Sequence, residues 1–144
     1  MQVPMTPSDA ELQTQAEAVA SRLTSVGWEL VTAESCTGGW VAKICTDLAG
    51  SSGWFDSGLV TYSNSAKCQY LGVPRSTLAK YGAVSRQTVE AMAKGAIAVP
   101  SQQVALATSG IAGPSGGSPK KPVGLVCFAW VVPGQPIKSE SVEF

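Results

Sequence analysis

The sequence predicts an α/β fold, a three-layer α/β/α sandwich around a mixed, mostly parallel sheet of about five strands. Short apolar runs of strand composition alternate with segments of helical periodicity, which is the pattern of a parallel sheet covered by helices. The last two strand-like runs follow each other without a helix, so at least one pair is expected to be antiparallel. At 144 residues, 44% of them hydrophobic, the chain can bury one core without disulfides or metals.

The first helix is predicted over residues 8–26, where apolar residues recur at helical spacing. Ser8 and Glu11 have the spacing of a capping box, and Gly27 is expected to end the helix. The residues expected to face the core are Leu12, Ala16, Val19, Leu23 and Val26.

A strand and a second helix follow. Residues 28–33 form a short apolar run typical of a buried strand, and they lead into a turn-like run of small residues, ESCTGG. The second helix is expected from about residue 39 to residue 48, with Trp40, Val41 and Ile44 turned inward.

The middle of the chain contains a strand and two short helices. A loop is predicted at 49–53 and a strand at 55–62. The first short helix runs to Leu71, and Asn64 is expected to cap it. Pro74 suits the first turn of the second short helix.

The last part of the sequence predicts a helix and three strands. Ser85 is expected to cap the helix. Its predicted inner face contains Val89, Met92, Ala93, Ala96 and Ile97. Strands are predicted at 103–109 and 125–132, and an alternating edge strand at 137–144. The connecting loop, 110–124, has five glycines and three prolines, and a loop of this length in a compact domain is usually functional or disordered.

Composition excludes several classes of function. A formal net charge of zero argues against nucleic-acid binding, which needs clustered lysines and arginines. No segment approaches the roughly 20 apolar residues of a membrane span, and residues 1–8 lack the features of a signal peptide. The four cysteines show no CxxC spacing, and the acidic residues are scattered, so no metal site is expected. We therefore expect reduced thiols and a cytoplasmic protein.

The chain contains no histidine. This absence removes Ser-His-Asp and Cys-His catalysis and the commonest general base near neutral pH. An enzyme built from this chain must move protons with lysine, tyrosine, carboxylate, thiol or metal-bound water.

The segment 34–39 lies between a predicted strand and a predicted helix, beyond the carboxyl end of the strand, where ligands of α/β sheets collect. Its backbone N–H groups and the helix dipole suit a phosphate or an oxyanion, and Ser35 or Cys36 is a candidate nucleophile there. The alternative is that Ser35 or Thr37 only caps the helix, and the residue types by themselves favour this alternative.

Two further segments carry candidate functional groups. Lys67 lies one turn into a short helix, and burial can lower a lysine pKa enough to make it a base, with Tyr62 holding or relaying the proton. A surface lysine and a packed tyrosine are the alternative. In the loop 110–124, glycines let backbone approach a ligand, and Lys120 or Lys121 can offset a phosphate charge. A mobile connecting loop is an equally good reading. Residues 82–85 are interpreted as a turn and helix cap without chemistry.

Four blocks in the same order and spacing resemble the CinA carboxyl-terminal domain family. They are TAESCTGG at 32–39, GSSGWFDSGLVTYSNSAKCQYLGV at 50–73, YGAVS at 81–85 and SGIAGPSGGSPKKPVG at 109–124. The resemblance spans roughly residues 10–144. It implies an α/β/α domain that is often oligomeric, and nicotinamide mononucleotide amidohydrolysis without metal or organic cofactor.

The resemblance also implies roles for individual residues. It places the nucleophile on Ser35 and the supporting tyrosine and lysine on Tyr62 and Lys67. Our hypothesis is that neutral Lys67 takes the Ser35 proton while backbone N–H groups hold the oxyanion. The donors expected for the oxyanion are those of Cys36, Thr37, Gly38 and Gly39. The residues expected to bind substrate, with the loop holding its phosphate, are Asn64, Ser109, Gly110, Gly113, Gly116, Gly117 and Lys121.

The expected organisation is one domain of this type over residues 1–144, with residues 1–8 as a flexible lead and without the final helix, preceded by arginines, that family members commonly have. A homo-oligomer binding a small nucleotide, with no nucleic-acid or membrane partner, is expected. The alternative function is a non-catalytic nucleotide-sensing or protein-interaction module, in keeping with the family's association with competence and DNA damage.

Overall fold

A five-stranded mixed sheet forms the middle layer of the computed structural model, which describes residues 6–144. Its strands are β1 (Glu29–Glu34), β2 (Phe55–Val60), β3 (Gln103–Gly110), β4 (Leu125–Val131) and β5 (Lys138–Glu143). They lie in the order β2-β1-β3-β4-β5. Strand β1 is parallel to both β2 and β3, whereas β4 is antiparallel to β3 and β5. Four strands therefore share one direction, and the predicted mixed, mostly parallel sheet is confirmed.

Helices cover both faces of this sheet. They are α1 (Asp9–Val26), α2 (Trp40–Thr46), α3 (Asn64–Leu71), α4 (Arg75–Tyr81) and α5 (Arg86–Ala96). Helices α1 and α2 pack on one face, over β1 and β2, and α5 packs on the other, with α3 and α4 beside it. The three-layer prediction is confirmed. None of the helices described in residues 6–144 is long and apolar enough to cross a membrane.

Alternating side chains on the central strands supply two cores. On β1, Leu30 packs with α1 and Trp54, whereas Ala33 packs against α5. In its middle, the α5 side of β3 carries the small residues Ala105 and Ala107, both fully buried. Small residues on the sheet allow the α5 side chains to approach it closely, as protein interiors require for dense packing. The core face predicted for α5 is confirmed.

Most predicted helix ends are confirmed, and the prediction of one N-cap residue is wrong. The Ser8–Glu11 capping box is present, Gly27 ends α1 in the left-handed region, and Ser85 caps α5. Residues 1–5 of the expected flexible lead lie outside the described residues. Helix α3 is capped by Ser63, whose hydroxyl accepts the Ala66 N–H, and not by Asn64, because Ser63 is the last extended residue before the helix.

Three side chains predicted to face inward are exposed. Trp40 is 55% exposed because α2 turns Ala42, not Trp40, onto the sheet, where a Cβ at Gly58 would lie only 2.9 Å from the Ala42 side chain. Val19 and Val26 are 42% and 53% exposed. The buried positions of α1 are Ala16 and Leu23, so these valines lie at the margin of a narrow apolar stripe.

Candidate active site

The carboxyl ends of β1, β2 and β3 meet at one edge of the sheet. There, the first residues beyond β1 and β2 are hydrogen-bonded to the neighbouring strand. The Ser35 N–H donates to the Thr108 carbonyl at 3.1 Å, and the Thr61 N–H donates to the Glu34 carbonyl at 2.9 Å. The parallel register therefore fixes Ser35 between two neighbouring strands, where ligands of open α/β sheets bind.

Ser35 and Lys67 form a buried hydroxyl–amine pair at this edge. Lys67 Nζ lies 3.0 Å from Ser35 Oγ, although the residues are 32 positions apart. Ser35 is 7% exposed and Lys67 only 1%. Lys67 occupies the first turn of α3, which Ser63 caps, and its amine reaches Ser35 at the end of β1. The fold thus brings together two of the three residues expected to be catalytic.

The partners of Lys67 suit a neutral amine. Its Nζ donates to the backbone carbonyls of Thr61 at 2.9 Å and Tyr62 at 3.1 Å. When Lys67 is neutral and both of its N–H groups donate to these carbonyls, its lone pair faces Ser35 Oγ; as an ammonium it donates to all three oxygens. Burial lowers the pKa of Lys67 below its ordinary value, because a desolvated ammonium is disfavoured. The arrangement therefore lets Lys67 accept the Ser35 proton.

The structure also decides whether Ser35 is only a helix cap. The N–H groups of Val41 and Ala42, in the first turn of α2, donate at 3.0 Å each to the buried carboxylate of Glu34. Glu34, at the end of β1, therefore caps α2 from the strand. The Ser35 hydroxyl has no role at the helix end, and its close partners are Lys67 and, at 3.5 Å, the Tyr62 carbonyl.

The turn between Ser35 and α2 offers backbone donors. Gly38 and Gly39 have φ values of +60° and +96°, a region that glycine enters without steric cost. The Gly38 N–H closes the turn by donating to the Ser35 carbonyl at 3.0 Å. Within residues 6–144, the N–H groups of Cys36, Thr37 and Gly39 donate to no backbone carbonyl. Three of the four expected oxyanion donors are thus available to a ligand.

Cys36 lies beside the serine but does not have the character of a nucleophile. Its sulfur packs against β3, 3.1 Å from where a Cβ on Gly110 would lie. Burial raises the pKa of the Cys36 thiol, and nearby Lys67 offsets only part of this effect. All four cysteines are free, as expected for reduced thiols. Of the two candidate nucleophiles, the hydroxyl of Ser35 has the Lys67 amine within hydrogen-bond distance.

Tyr62 and Asn64 reach the site differently from Ser35 and Lys67. The carbonyl of Tyr62 contacts Lys67, whereas its side chain is 72% exposed at the rim. Asn64, the first residue of α3, is also exposed. The structure therefore brings the main chain of Tyr62 to the reacting pair and leaves both side chains facing solvent.

Hydrogen bonds hold the glycine-rich loop at its two ends and at Lys121. The Ile111 and Gly124 N–H groups donate to Leu125 and Ile111 carbonyls, respectively, closing the loop next to β3 and β4. The Lys121 amine donates to the Tyr81 carbonyl at the end of α4, so the loop contacts the beginning of the segment 81–85. This contact joins the glycine-rich loop to the YGAVS block.

The remaining residues expected to bind substrate lie along this loop. Ser109 is 1% exposed at the end of β3, and Gly110 packs beside Cys36. Gly113, Gly116 and Gly117 all have positive φ values, so the loop conformation depends on them. Among residues 6–144, no group of three or more carboxylates and thiols is placed to bind a metal ion.

Three contributors to the site were not predicted. Glu34 is the first residue of the ESCTGG segment. A carboxylate just before the start of a helix is a signal that the sequence offers, because its charge complements the helix dipole. Thr61 and Thr108 contribute backbone carbonyls, to Lys67 and to the Ser35 N–H respectively. Every residue has such a carbonyl, so no signal in the sequence marks these two.

Comparison with known proteins finds relatives that belong to one family. The profile of the family described as CinA C-terminal domain matches residues 12–144. The nicotinamide-nucleotide amidohydrolase PncC of Escherichia coli K12 is 54% identical over 123 residues, which cover 85% of this chain and 74% of the relative.

Solved structures extend the similarity to the fold. A CinA superfamily protein from Escherichia coli has a TM-score of 0.88 at 34% identity, covering 99% of this chain and 81% of that one. The competence/damage inducible protein CihA from Agrobacterium tumefaciens has a TM-score of 0.87 at 42% identity, covering 98% of this chain and 84% of that one. The chain belongs to the CinA C-terminal domain family.

Proposed function

We propose that this protein is a nicotinamide mononucleotide amidohydrolase, which converts nicotinamide mononucleotide and water to nicotinate mononucleotide and ammonia in the recycling of pyridine nucleotides. The observation that carries the proposal is the buried pair of Ser35 and Lys67, 3.0 Å apart, in a chain without histidine. The name of the Escherichia coli relative, with 54% identity, supplies the substrate.

The first half of the reaction forms an acyl-enzyme. Ser35 Oγ attacks the carboxamide carbon of the substrate while neutral Lys67 takes the hydroxyl proton. The negative charge that develops on the carboxamide oxygen is held by N–H groups of the 36–39 turn. One donor of this kind contributes about 3–4 kcal/mol to the transition state in measured systems. Protonated Lys67 then gives its proton to the departing nitrogen, and ammonia leaves.

The second half hydrolyses the ester. A water molecule takes the place of ammonia and attacks the acyl carbon while Lys67, neutral again, accepts a proton from it. The same backbone donors hold the second oxyanion, and the returning proton restores the Ser35 hydroxyl as nicotinate mononucleotide forms. The carbonyls of Thr61 and Tyr62 keep Lys67 in place through both halves.

Substrate binding is assigned to the surroundings of this pair. The loop 110–124 holds the ribose phosphate through backbone N–H groups, with Ser109 and Lys121 contributing. For Lys121 this requires its amine to exchange the Tyr81 carbonyl for the phosphate. Asn64 and the exposed ring of Tyr62 contact the substrate at the rim.

The decisive experiment is ammonia release from nicotinamide mononucleotide without added metal, comparing the wild type with Ser35→Ala. The variant is expected to lose at least about 10³-fold in kcat, as other serine hydrolases do when the nucleophile is removed. Ser25→Ala, an exposed helical serine whose hydroxyl bonds only its own helix, is the matched control.

Three results would separate the possibilities. Loss of turnover in Ser35→Ala, with Ser25→Ala unaffected and both folded, supports the proposal. Equal turnover in all three proteins removes Ser35 as nucleophile. Binding of the nucleotide by the wild type without ammonia release would instead support the nucleotide-sensing module.

The protein is further proposed to act in the cytoplasm as a homo-oligomer. Exposed large apolar side chains, including Trp40, Tyr70 and Phe144, support self-association. Light scattering at micromolar concentration would contradict the oligomer if it gave the monomer mass of 14.8 kDa.

A further inference from the structure

The carboxylate of Glu34 is buried behind the 35–39 turn, and no cationic side chain within residues 6–144 pairs with it. Glu34 is 1% exposed, and both of its oxygens are hydrogen-bonded. One accepts from the Thr37 hydroxyl at 2.7 Å and from the Val41 N–H; the other accepts from the Ala42 N–H and, at 3.2 Å, from the Thr32 hydroxyl. Four donors make the burial of this charge tolerable.

The carboxylate determines which group donates in each of these hydrogen bonds. A carboxylate only accepts, so the Thr37 hydroxyl must give its single proton to Glu34. The Thr108 hydroxyl, 2.9 Å from that of Thr37, must therefore donate to Thr37. These hydrogen bonds run from Thr108 on β3 through Thr37 to Glu34 at the end of β1. They hold the Thr37 side chain against the two strands.

From this geometry we propose that Glu34 is a positioning residue of the acyl-transfer centre. Its carboxylate holds the 35–39 turn at two places, through Thr37 and through the first turn of α2, and thereby fixes the N–H groups that receive the oxyanion. The role of those N–H groups rests on the proposed function. The hydrogen bonds that the structure describes for Glu34 include neither Ser35 Oγ nor Lys67, so its effect is on alignment and not on proton transfer.

A second consequence concerns where the substrate phosphate can bind. The N–H groups of Val41 and Ala42 are already used, and a buried negative charge lies against them. These two N–H groups are therefore unavailable to the substrate phosphate. This agrees with the assignment of the phosphate to the glycine-rich loop.

The test compares Glu34→Gln with the wild type. Glutamine keeps the size of the side chain but replaces one accepting oxygen by an NH2 group, which opposes an N–H of α2. The kcat for ammonia release is expected to fall about 10- to 100-fold, as small misplacements of catalytic groups do, with KM changed less than about twofold. The rate at which a fluorophosphonate labels Ser35, followed by mass spectrometry, is expected to fall in parallel.

Two sets of variants separate positioning from a purely structural role. Ser85→Ala removes a buried cap of α5, whose hydroxyl accepts the Thr88 N–H and donates to the Gly82 carbonyl, and it is expected to lower stability without changing kcat. Thr108→Val removes the hydroxyl that donates to Thr37 and should slow the labelling of Ser35. Thr108→Ser keeps a hydroxyl at this position and should restore most of the labelling rate.

The outcomes distinguish this proposal from the proposed function. Slow labelling of Ser35 in Glu34→Gln supports the positioning role even if the wild type does not hydrolyse nicotinamide mononucleotide. A Glu34→Gln protein that is less stable, like Ser85→Ala, but has unchanged kcat and labelling rate overturns it. A wild type that neither hydrolyses this substrate nor is labelled at Ser35 overturns both proposals.

Discussion

Lys67 Nζ lies 3.0 Å from Ser35 Oγ, and the other two hydrogen bonds of this buried amine go to backbone carbonyls, not to a carboxylate. In the part of the chain that the structure describes, the only salt bridge joins Lys43 and Asp47 on the surface of α2. A carboxylate beside Lys67 would favour the charged ammonium, which cannot act as a base. The use of uncharged partners thus keeps the amine available for proton transfer.

The activity should rise with pH through a lowered lysine pKa. Burial lowers the pKa of Lys67 from 10.5, and only the neutral amine accepts the Ser35 proton. We expect kcat/KM for ammonia release to increase with pH and to level off at a pH below 10.5. A profile that is flat, or that falls as pH rises through this range, would contradict Lys67 as the base.

Replacing Lys67 by methionine should remove activity and change the pH dependence of stability. We expect kcat to fall about 10²- to 10⁴-fold, the usual contribution of a general base. The unfolded chain binds the Lys67 proton more tightly than the folded one, so wild-type stability rises with pH between the lowered pKa and 10.5. Urea denaturation should therefore show the wild type gaining stability relative to Lys67→Met across this window. A constant difference would show that the pKa is not lowered.

The Cys36 thiol should be dispensable for the chemistry. Its pKa is raised by burial, so little thiolate is present at neutral pH, and Cys36→Ala keeps the backbone N–H of this residue. We expect kcat for ammonia release to fall less than about tenfold, well short of the effect of removing a nucleophile. A loss as large as that of Ser35→Ala would make the sulfur the nucleophile.

Tyr62→Phe tests whether the tyrosine acts through its side chain. The carbonyl that holds Lys67 is retained in phenylalanine, and the exposed ring keeps its place at the rim. We expect kcat to change less than about fivefold, below the usual contribution of a group that transfers a proton. A loss of a hundredfold or more would assign proton transfer to the phenol.

Gly95→Ala should destabilise the fold although alanine favours helices. A Cβ at Gly95 would lie 1.8 Å from the backbone oxygen of Leu71, so α5 must move away from the end of α3. We expect a loss of about 1–3 kcal/mol in the free energy of unfolding, measured with urea, as for other overpacked sites. Gly53→Ala, where no atom lies within 4 Å of the added carbon, is the control. It should change stability by less than about 0.5 kcal/mol.

Local signals predicted much of the architecture. The Ser8–Glu11 box, Gly27 and Ser85 mark helix ends because each depends on hydrogen bonds or backbone angles within a few residues. Burial of helix faces was predicted less well. Trp40 is exposed because the orientation of α2 depends on Glu34 and on the close approach of Ala42 to Gly58, contacts between segments that helical periodicity does not contain.

The sequence by itself determined the fold class, the order of the elements and, from the missing histidine and the motif resemblance, the candidates Ser35 and Lys67. It left open whether Ser35 caps a helix and whether Lys67 lies on the surface, because both residue types have these common local roles. Only the tertiary structure decided these questions. Parallel pairing of β1 with β2 and β3 brings together residues that are far apart in the chain, and the packing of α3 buries the lysine against Ser35 with two carbonyls that no sequence motif marks.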